Sequence, residues 1–281
     1  MAPVEDVAPP LFERFLASVC KPAGLVCYCY YYLLITFLQW PLLAFQDLQA
    51  FRHRAFSRVW GKLGAELSQQ LEGNTFDMLK TASGVVLDVG PGTGEILCRL
   101  DPALITKAYG VEPAIDMHPA LQKNIDKAGL AGKYEIISCG AEPATLIPAL
   151  DKLALLKKEG RSNEGVFDTI LCIRVLCSVS NQQDTVNELY RLLKPGGRLI
   201  VCEHIASPWP GRASAVAWIL QKFWVLAGWN VLMGGCKLNR DTVSALEAAG
   251  GGDQKGWKKI DIGYWETWHP IPFVVGELVK I

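Results

Sequence analysis

The chain has 281 residues, half of them hydrophobic, and 28 basic side chains balance 28 acidic ones. That length suits one α/β domain with a leading segment to spare. A net charge of zero argues against nucleic acid as a partner.

The first feature in chain order is an apolar run from Leu25 to Phe45, LVCYCYYYLLITFLQWPLLAF, with Gln39 its one strongly polar residue. A spanning helix needs about 20 apolar residues, and Pro41 interrupts the run, so spanning and interfacial placements both fit. Tyr28, Tyr30, Tyr31, Tyr32 and Trp40 are residue types that favour the headgroup level. Glu5 and Asp6 stand where a basic n-region would be, so a cleaved signal is not expected. The rival reading is a buried helix packed on the next domain. Membrane association is favoured because the run is apolar nearly all round. Arg52, Arg54, Arg58 and Lys62 follow it, which places the remainder in the cytosol. The expected division is a membrane-associated segment over 1–70 and an α/β domain over 71–281.

From Gly84 onward, short apolar runs alternate with helical patterns, the signature of a mostly parallel sheet with helices on both faces. Strands are predicted over 85–89, 107–111, 134–138, 167–173 and 198–204. Helices are predicted from about Gly94, over 117–128, 144–158 and 183–193, with a turn at Lys194-Pro195-Gly196-Gly197. Residues 207–236 read as a Trp-rich helical insertion, before a helix over 241–249 and two late strands over 258–264 and 273–279. Lys152, Lys157, Lys158 and Arg161 read as a solvated basic face. Nine cysteines lie scattered with no Cys-x-x-Cys pair, so their spacing indicates neither a zinc site nor a disulfide framework, and no metal is expected.

The chemistry-bearing stretch is Val86-Leu87-Asp88-Val89-Gly90-Pro91-Gly92-Thr93-Gly94-Glu95. A strand ends there and turns through three glycines, which let the backbone approach a ligand closely. The spacing is Gly-x-Gly-x-Gly, not the Gly-x-Gly-x-x-Gly that seats a pyrophosphate, which disfavours a nicotinamide-dependent oxidoreductase. Glu112 ends the second strand, where two carboxylate oxygens suit a ribose diol. Glu142, in Cys139-Gly140-Ala141-Glu142, follows the third strand and suits an adenine amino group.

The run VVLDVGPGTGE, Glu112, the GAE step, FDTILC and LLKPGG resemble a class I S-adenosylmethionine-dependent methyltransferase over about 84–204. The resemblance implies a Rossmann-like seven-stranded sheet and S-adenosylmethionine as cofactor. It puts Asp88, Gly90, Gly92 and Gly94 at the methionine end and ribose, Glu112 with Pro113 at the ribose hydroxyls, and Ala141 with Glu142 at the adenine. Cys172, Ile173 and Arg174 then line the methionine and substrate side. VLCSV at 175–179, CEH at 202–204 and CKLNRD at 236–241, with the apolar leader, resemble membrane-bound thiol methyltransferases and their fungal natural-product relatives. That resemblance implies a small-molecule acceptor and an endoplasmic reticulum or lipid-droplet surface, with the cytoplasm as the alternative location.

A thiol acceptor titrates near pH 8.5 and reacts as thiolate, so it needs little help. A hydroxyl or amine, as in tailoring of a secondary metabolite, needs a general base. His204 is the candidate base, because the fifth strand's end borders the acceptor pocket; His269 is second. Arg174 is expected to pair with substrate, cofactor or Glu203, and Cys177 to be structural. Trp218 and Trp224 of the insertion are placed at the acceptor pocket, with contact to the bilayer beside the N-terminal segment and ordinary helix packing as the alternatives. A non-catalytic, cofactor-binding membrane adaptor is the alternative from another class.

Overall fold

The computed structural model describes residues 8–156, 165–251 and 256–281. Glu5, Asp6, Lys157, Lys158 and Arg161 lie outside the described residues. The chain opens with a continuous helical stretch: α1 (Leu11–Phe15), a π-helical turn over Leu16–Cys20, and α2 (Lys21–Gln39). Pro41 forces Trp40 out of helical geometry, and α2 stops there. After α3 (Pro41–Gln46), Asp47 caps α4 (Leu48–Leu67) by accepting from Ala50 N at 2.9 Å. Such a cap stabilises a helix by about 1 kcal/mol.

Then follow α5 (Thr75–Lys80), β1 (Gly84–Val89), β2 (Ile105–Val111), α6 (His118–Lys127), β3 (Tyr134–Ile137), α7 (Pro143–Lys152) and β4 (Phe167–Ile173). After them come α8 (Gln182–Leu192), β5 (Leu193–His204), α9 (Ala215–Leu226), α10 (Trp229–Leu232), α11 (Thr242–Glu247), β6 (Trp257–Trp265) and β7 (Phe273–Lys280). The expected helix opening at Gly94 does not form. A single 3₁₀ turn at Leu97–Arg99 takes its place, because Pro102 disfavours helix at Asp101 and β2 starts only three residues later.

The sheet has the order β3-β2-β1-β4-β5-β7-β6, with β7 antiparallel to both neighbours and the other pairs parallel. Consecutive strands run outward from β1 in one direction, then the chain returns to β4 on its other side. That reversal opens a crevice at the carboxyl ends of β1 and β4, where open α/β sheets bind ligands. Register keeps those ends level: Val89 pairs with Val111 on β2 and with Cys172 on β4.

Side chains alternate across the sheet and build a core on each face. Leu87, Val89, Phe167, Ile170 and Leu199 pack with Leu146, Leu150, Leu189 and Leu246 on one face. Val86, Leu171 and Ile200 pack with Leu79, Leu121 and Ile125 on the other. Each fully buried Leu or Ile stabilises the fold by roughly 1.5–3 kcal/mol. A third cluster joins Val26, Cys29 and Val59 of α2 and α4 to Trp224, Trp229 and Leu232 of the insertion and to Cys177. The N-terminal helices are thus packed onto the α/β domain, and this third cluster lies beside the crevice.

Candidate functional site

The glycine turn after β1 holds Gly90 at φ +65° and Gly92 at φ +59°, a region that side-chain-bearing residues rarely adopt. A Cβ at Gly90 would sit 2.6 Å from Val175 Cγ2, and one at Gly92 2.8 Å from Trp60 Nε1. The turn is tied to β2 through Glu112, whose Oε2 accepts from Gly92 N at 3.0 Å and Oε1 from Ala114 N at 2.8 Å. Burial raises the Glu112 pKa, and these two hydrogen bonds oppose the rise. A carboxylate has about four acceptor positions, so two remain for a diol.

Asp88, at the end of β1, is buried, and its Oδ2 accepts from Tyr134 Oη at 2.8 Å. Burial lifts its pKa to about 7 despite that bond, and the Glu112 charge adds to the rise.

These groups form one end of a cavity of about 340 Å³ that runs from the glycine turn to the insertion. Asp88, Gly90, Gly92, Glu112, Pro113, Ile173, Arg174 and His204 line it. Gly94 does not. Its Cβ would meet Leu121 Cδ1 at 2.7 Å, so packing against α6 demands that glycine. Ala141 and Cys172 are buried in the core under the sheet ends and do not reach the cavity wall. Glu142 is also off the wall, because Ser180 occupies it: N and Oγ of Ser180 donate to Oε1 at 2.9 and 3.1 Å. Burial would raise the Glu142 pKa, but those bonds and the Arg240 charge hold it below the usual range.

The two insertion tryptophans also lie elsewhere. Trp218 stacks on Trp209, 5.0 Å between centroids, and Trp224 is buried with its Nε1 donating to Ser18 O at 3.2 Å. Trp229, Met233 and Gly234 face the cavity from the insertion instead.

Arg174 sits at φ +59°, and its guanidinium donates to Glu72 Oε1 at 2.8 Å and to Leu67 O at 2.8 Å. Its partner is therefore Glu72, not Glu203. Glu203 is fully buried, and its Oε1 accepts from Val175 N and Leu176 N, both at 2.8 Å, fixing the loop after β4. His269 has both ring nitrogens engaged: Nε2 donates to Ala17 O at 3.0 Å and Nδ1 accepts from Ile271 N at 3.1 Å. Burial lowers its pKa, so it is a neutral clamp on the N-terminal helix rather than a base. His204 leans on Phe273 at 4.5 Å, and its Nδ1 lies 3.4 Å from Cys236 Sγ.

Sequence reasoning missed the contribution of α4. His53, Phe56, Ser57 and Trp60 roof the cavity, and Leu25 of α2 reaches it too. Phe56, Trp60, Leu63 and Leu67 recur at helical spacing among basic residues, a stripe that marks an inward face. Arg54 and Arg58 of α4 have partners in the protein: Arg54 pairs with Asp116 at 3.3 Å, Arg58 donates to Gln39, and both guanidiniums lie over Trp40.

Residues 51–229 match the family described as "Methyltransferase domain". The chain belongs to this family. It is 37% identical over 89 residues to human thiol S-methyltransferase TMT1A, covering 31% of this chain and 33% of that protein. It is 28% identical over 186 residues to human thiol S-methyltransferase TMT1B, covering 66% and 65%. The matches thus span between a third and just under two thirds of the length of these two relatives. An O-methyltransferase family protein from Burkholderia thailandensis shares the fold, with a TM-score of 0.53 at 15% identity over 97% of this chain and 76% of that one.

The family's cofactor is S-adenosylmethionine, and the cradle fits it. Besides the two open acceptor positions on Glu112, the buried Trp60 Nε1 beside Gly92 has no hydrogen-bond partner among the described residues. An indole N–H placed there matches a ligand that carries carboxylate and hydroxyl acceptors.

Proposed function

We propose that this protein transfers the methyl group of S-adenosylmethionine to the sulfur of a small apolar thiol, at a membrane surface. The observation that carries the reading is the contrast within one cavity. The glycine turn, Glu112 and Trp60 form a polar cradle at one end. The other end is walled by Leu25, Phe56, Trp229, Met233, Ile271 and Phe273.

S-adenosylmethionine supplies an electrophilic methyl on a sulfonium, and the protein's work is positioning and exclusion of water. Glu112 and the glycine turn hold the cofactor's ribose and methionine ends. Arg174, neutralised by Glu72, shapes the wall between cofactor and acceptor. With His269 clamped, a weakly acidic hydroxyl or amine finds His204 as its base, whereas a thiol titrating near pH 8.5 supplies a reactive thiolate fraction at neutral pH without one. The thiol methyltransferases among the relatives favour the same acceptor. An O- or N-methylation reading rests on His204, which borders the cavity.

The membrane part of the proposal rests on an exposed apolar face. The helical stretch Leu11–Gln39 is long and apolar enough to cross a membrane by length and composition. One side of it packs on the domain, and the other exposes Leu11, Phe12, Leu34 and Leu38; Leu42 and Phe45 continue that face. Beside it α9 exposes Val216, Ile219, Phe223 and Leu226, the last 86% exposed. Trp224 on Ser18 and Tyr30 on Ala227 bind the two elements together. A helix packed along its length on one side suits embedding in the plane of the bilayer. Residues 1–70 then serve as the membrane segment and 71–281 as the methyltransferase domain, on the cytosolic face of the endoplasmic reticulum or a lipid droplet. Leu25 belongs to both the embedded helix and the cavity wall, which gives apolar acceptors a short path from lipid.

The test is label transfer from methyl-labelled S-adenosylmethionine to a panel of thiols, phenols, carboxylic acids and amines. Label on the thiols, lost in Glu112→Ala, is the expected result. Label on hydroxyls or amines alone, lost in His204→Ala, would replace this reading with the tailoring one.

A further inference from the structure

Three metal-ligating side chains converge on the acceptor side of the cavity, where the third core cluster borders it, and none of them belongs to the cofactor cradle. Cys177 follows β4, His204 ends β5 and Cys236 follows α10, separated in sequence by 27 and 32 residues. Their Sγ, ring-nitrogen and Sγ atoms all lie within 4.8 Å of one another, and Cys236 Sγ is 3.4 Å from His204 Nδ1. All three line the cavity that holds the glycine turn.

We propose that Cys177, His204 and Cys236 bind a zinc ion whose fourth position takes the acceptor thiol. Tetrahedral zinc, with Zn–S near 2.3 Å and Zn–N near 2.0–2.1 Å, sets its ligand atoms roughly 3.6–3.8 Å apart. The Cys236–His204 separation of 3.4 Å is close to that spacing, and Cys177 Sγ lies within 4.8 Å of both, so a small side-chain adjustment completes the set. Three protein ligands with one open position is the arrangement of catalytic zinc, and two cysteines with one histidine is a known set of that kind.

The cluster is also rigidly held. Cys177 is 1% exposed and Cys236 5%. Lys237 N donates to Cys177 O at 2.9 Å, which locks the two cysteine segments together. Glu203 holds the backbone just before Cys177, and Phe273 supports the His204 ring. Two thiolates and a neutral imidazole balance the dication, so a bound substrate thiolate leaves one surplus negative charge. Arg240, which donates to Leu176 O at 2.8 Å, is the nearby cation.

The inference rests on the thiol reading and deepens it. An acceptor R–SH enters the fourth position, and its proton leaves with a displaced zinc-bound hydroxide as water. The metal-bound sulfur then forms a bond to the methyl carbon. The methyl–sulfonium bond breaks with its electron pair left on S-adenosylhomocysteine, and the neutral thioether departs as a poor zinc ligand. No oxidant or reductant enters the balance.

The experiment is metal analysis of the full chain purified in detergent under reducing conditions, with cobalt substitution alongside. About one zinc per chain is expected. Cys177→Ser with Cys236→Ser is expected to lose it while S-adenosylmethionine still binds, and Cys98→Ser, at an exposed cysteine, to keep it. The cobalt form is expected to show thiolate-to-cobalt absorption that shifts on adding a small alkyl thiol. Thiol methylation is expected to be nearly flat across about pH 6.5–8.5 with metal, and to rise about tenfold per unit when the metal is removed.

Metal-free wild-type protein, zinc retained by the double variant, or a Cys177–Cys236 disulfide in place of metal would overturn the proposal. Undiminished, pH-insensitive thiol methylation after metal removal overturns the fourth-position role of the zinc and leaves the thiol reading intact. Stoichiometric zinc in a protein that methylates only hydroxyls or amines overturns the thiol reading, and the fourth-position role with it.

Discussion

The cofactor wall and the acceptor wall face each other across one cavity, yet they are built from different material. The cofactor wall is built around backbone: a glycine turn at the end of β1, tied through the Glu112 side chain to the end of β2, with Trp60 of α4 beside Gly92. Its geometry follows from strand register and positive φ angles, and neighbouring residues in the sequence supply it. The acceptor wall is side chains drawn from α2, α4, the loop after β4, the end of β5 and the insertion. Its shape depends on how helices pack and on how the N-terminal stretch is clamped by His269. A cradle made of backbone suits a constant cofactor, and a wall of side chains from separate segments is free to change with the acceptor.

That contrast is sharpened most by Glu112→Ala, which should weaken S-adenosylmethionine binding by about 100-fold or more, read by calorimetry. The change removes charge-assisted hydrogen bonds to the ligand and to the turn, each contributing about 1.5–3 kcal/mol. Gly94→Ala should separate packing from binding. Its Cβ meets Leu121 at a φ of +81°, so folding stability should fall by about 2–3 kcal/mol while cofactor affinity in the folded protein holds. If affinity falls and stability does not, Gly94 belongs to the cradle after all.

On the acceptor side, Leu34→Glu with Phe223→Glu should cut binding to lipid vesicles about tenfold or more, leaving turnover of a water-soluble thiol unchanged. Equal vesicle binding would remove the exposed face from the account.

A pH-dependent effect concerns Asp88. Its folded pKa of about 7 lies above the unfolded value near 3.9. The stability it contributes is therefore complete below about pH 4 and is lost as pH rises through about 7. The unfolding midpoint of cofactor-free protein should decline from about pH 5 to about pH 8, and Asp88→Asn should flatten that decline.

The same division explains what could be read without coordinates. The strand at 167–173 and the order of elements follow from alternating apolar runs, and the glycine turn from its own residues. The missing helix after Gly94 turned on Pro102 and a short connection to β2, which outweighed the alternating pattern that predicted it. Glu142 stands at a strand end like Glu112, but only the structure shows Ser180 already donating to it. Trp224 and Trp229 are alike in sequence and both pack in the third core cluster, but only Trp229 also reaches the cavity wall, because α9 turns Trp224 onto the N-terminal helix. The Cys177, His204 and Cys236 cluster carries no spacing signal, because sheet topology and a returning insertion bring the three together.

The most direct measurement is a single-turnover competition between an apolar alkyl thiol and the alcohol of the same chain length, with vesicles present. The account predicts methyl thioether as the dominant product, at about 100-fold or more over the ether, because at neutral pH only the thiol supplies a usable anion. Ether formed at a comparable rate, or no turnover of the thiol by protein that binds S-adenosylmethionine, would contradict it.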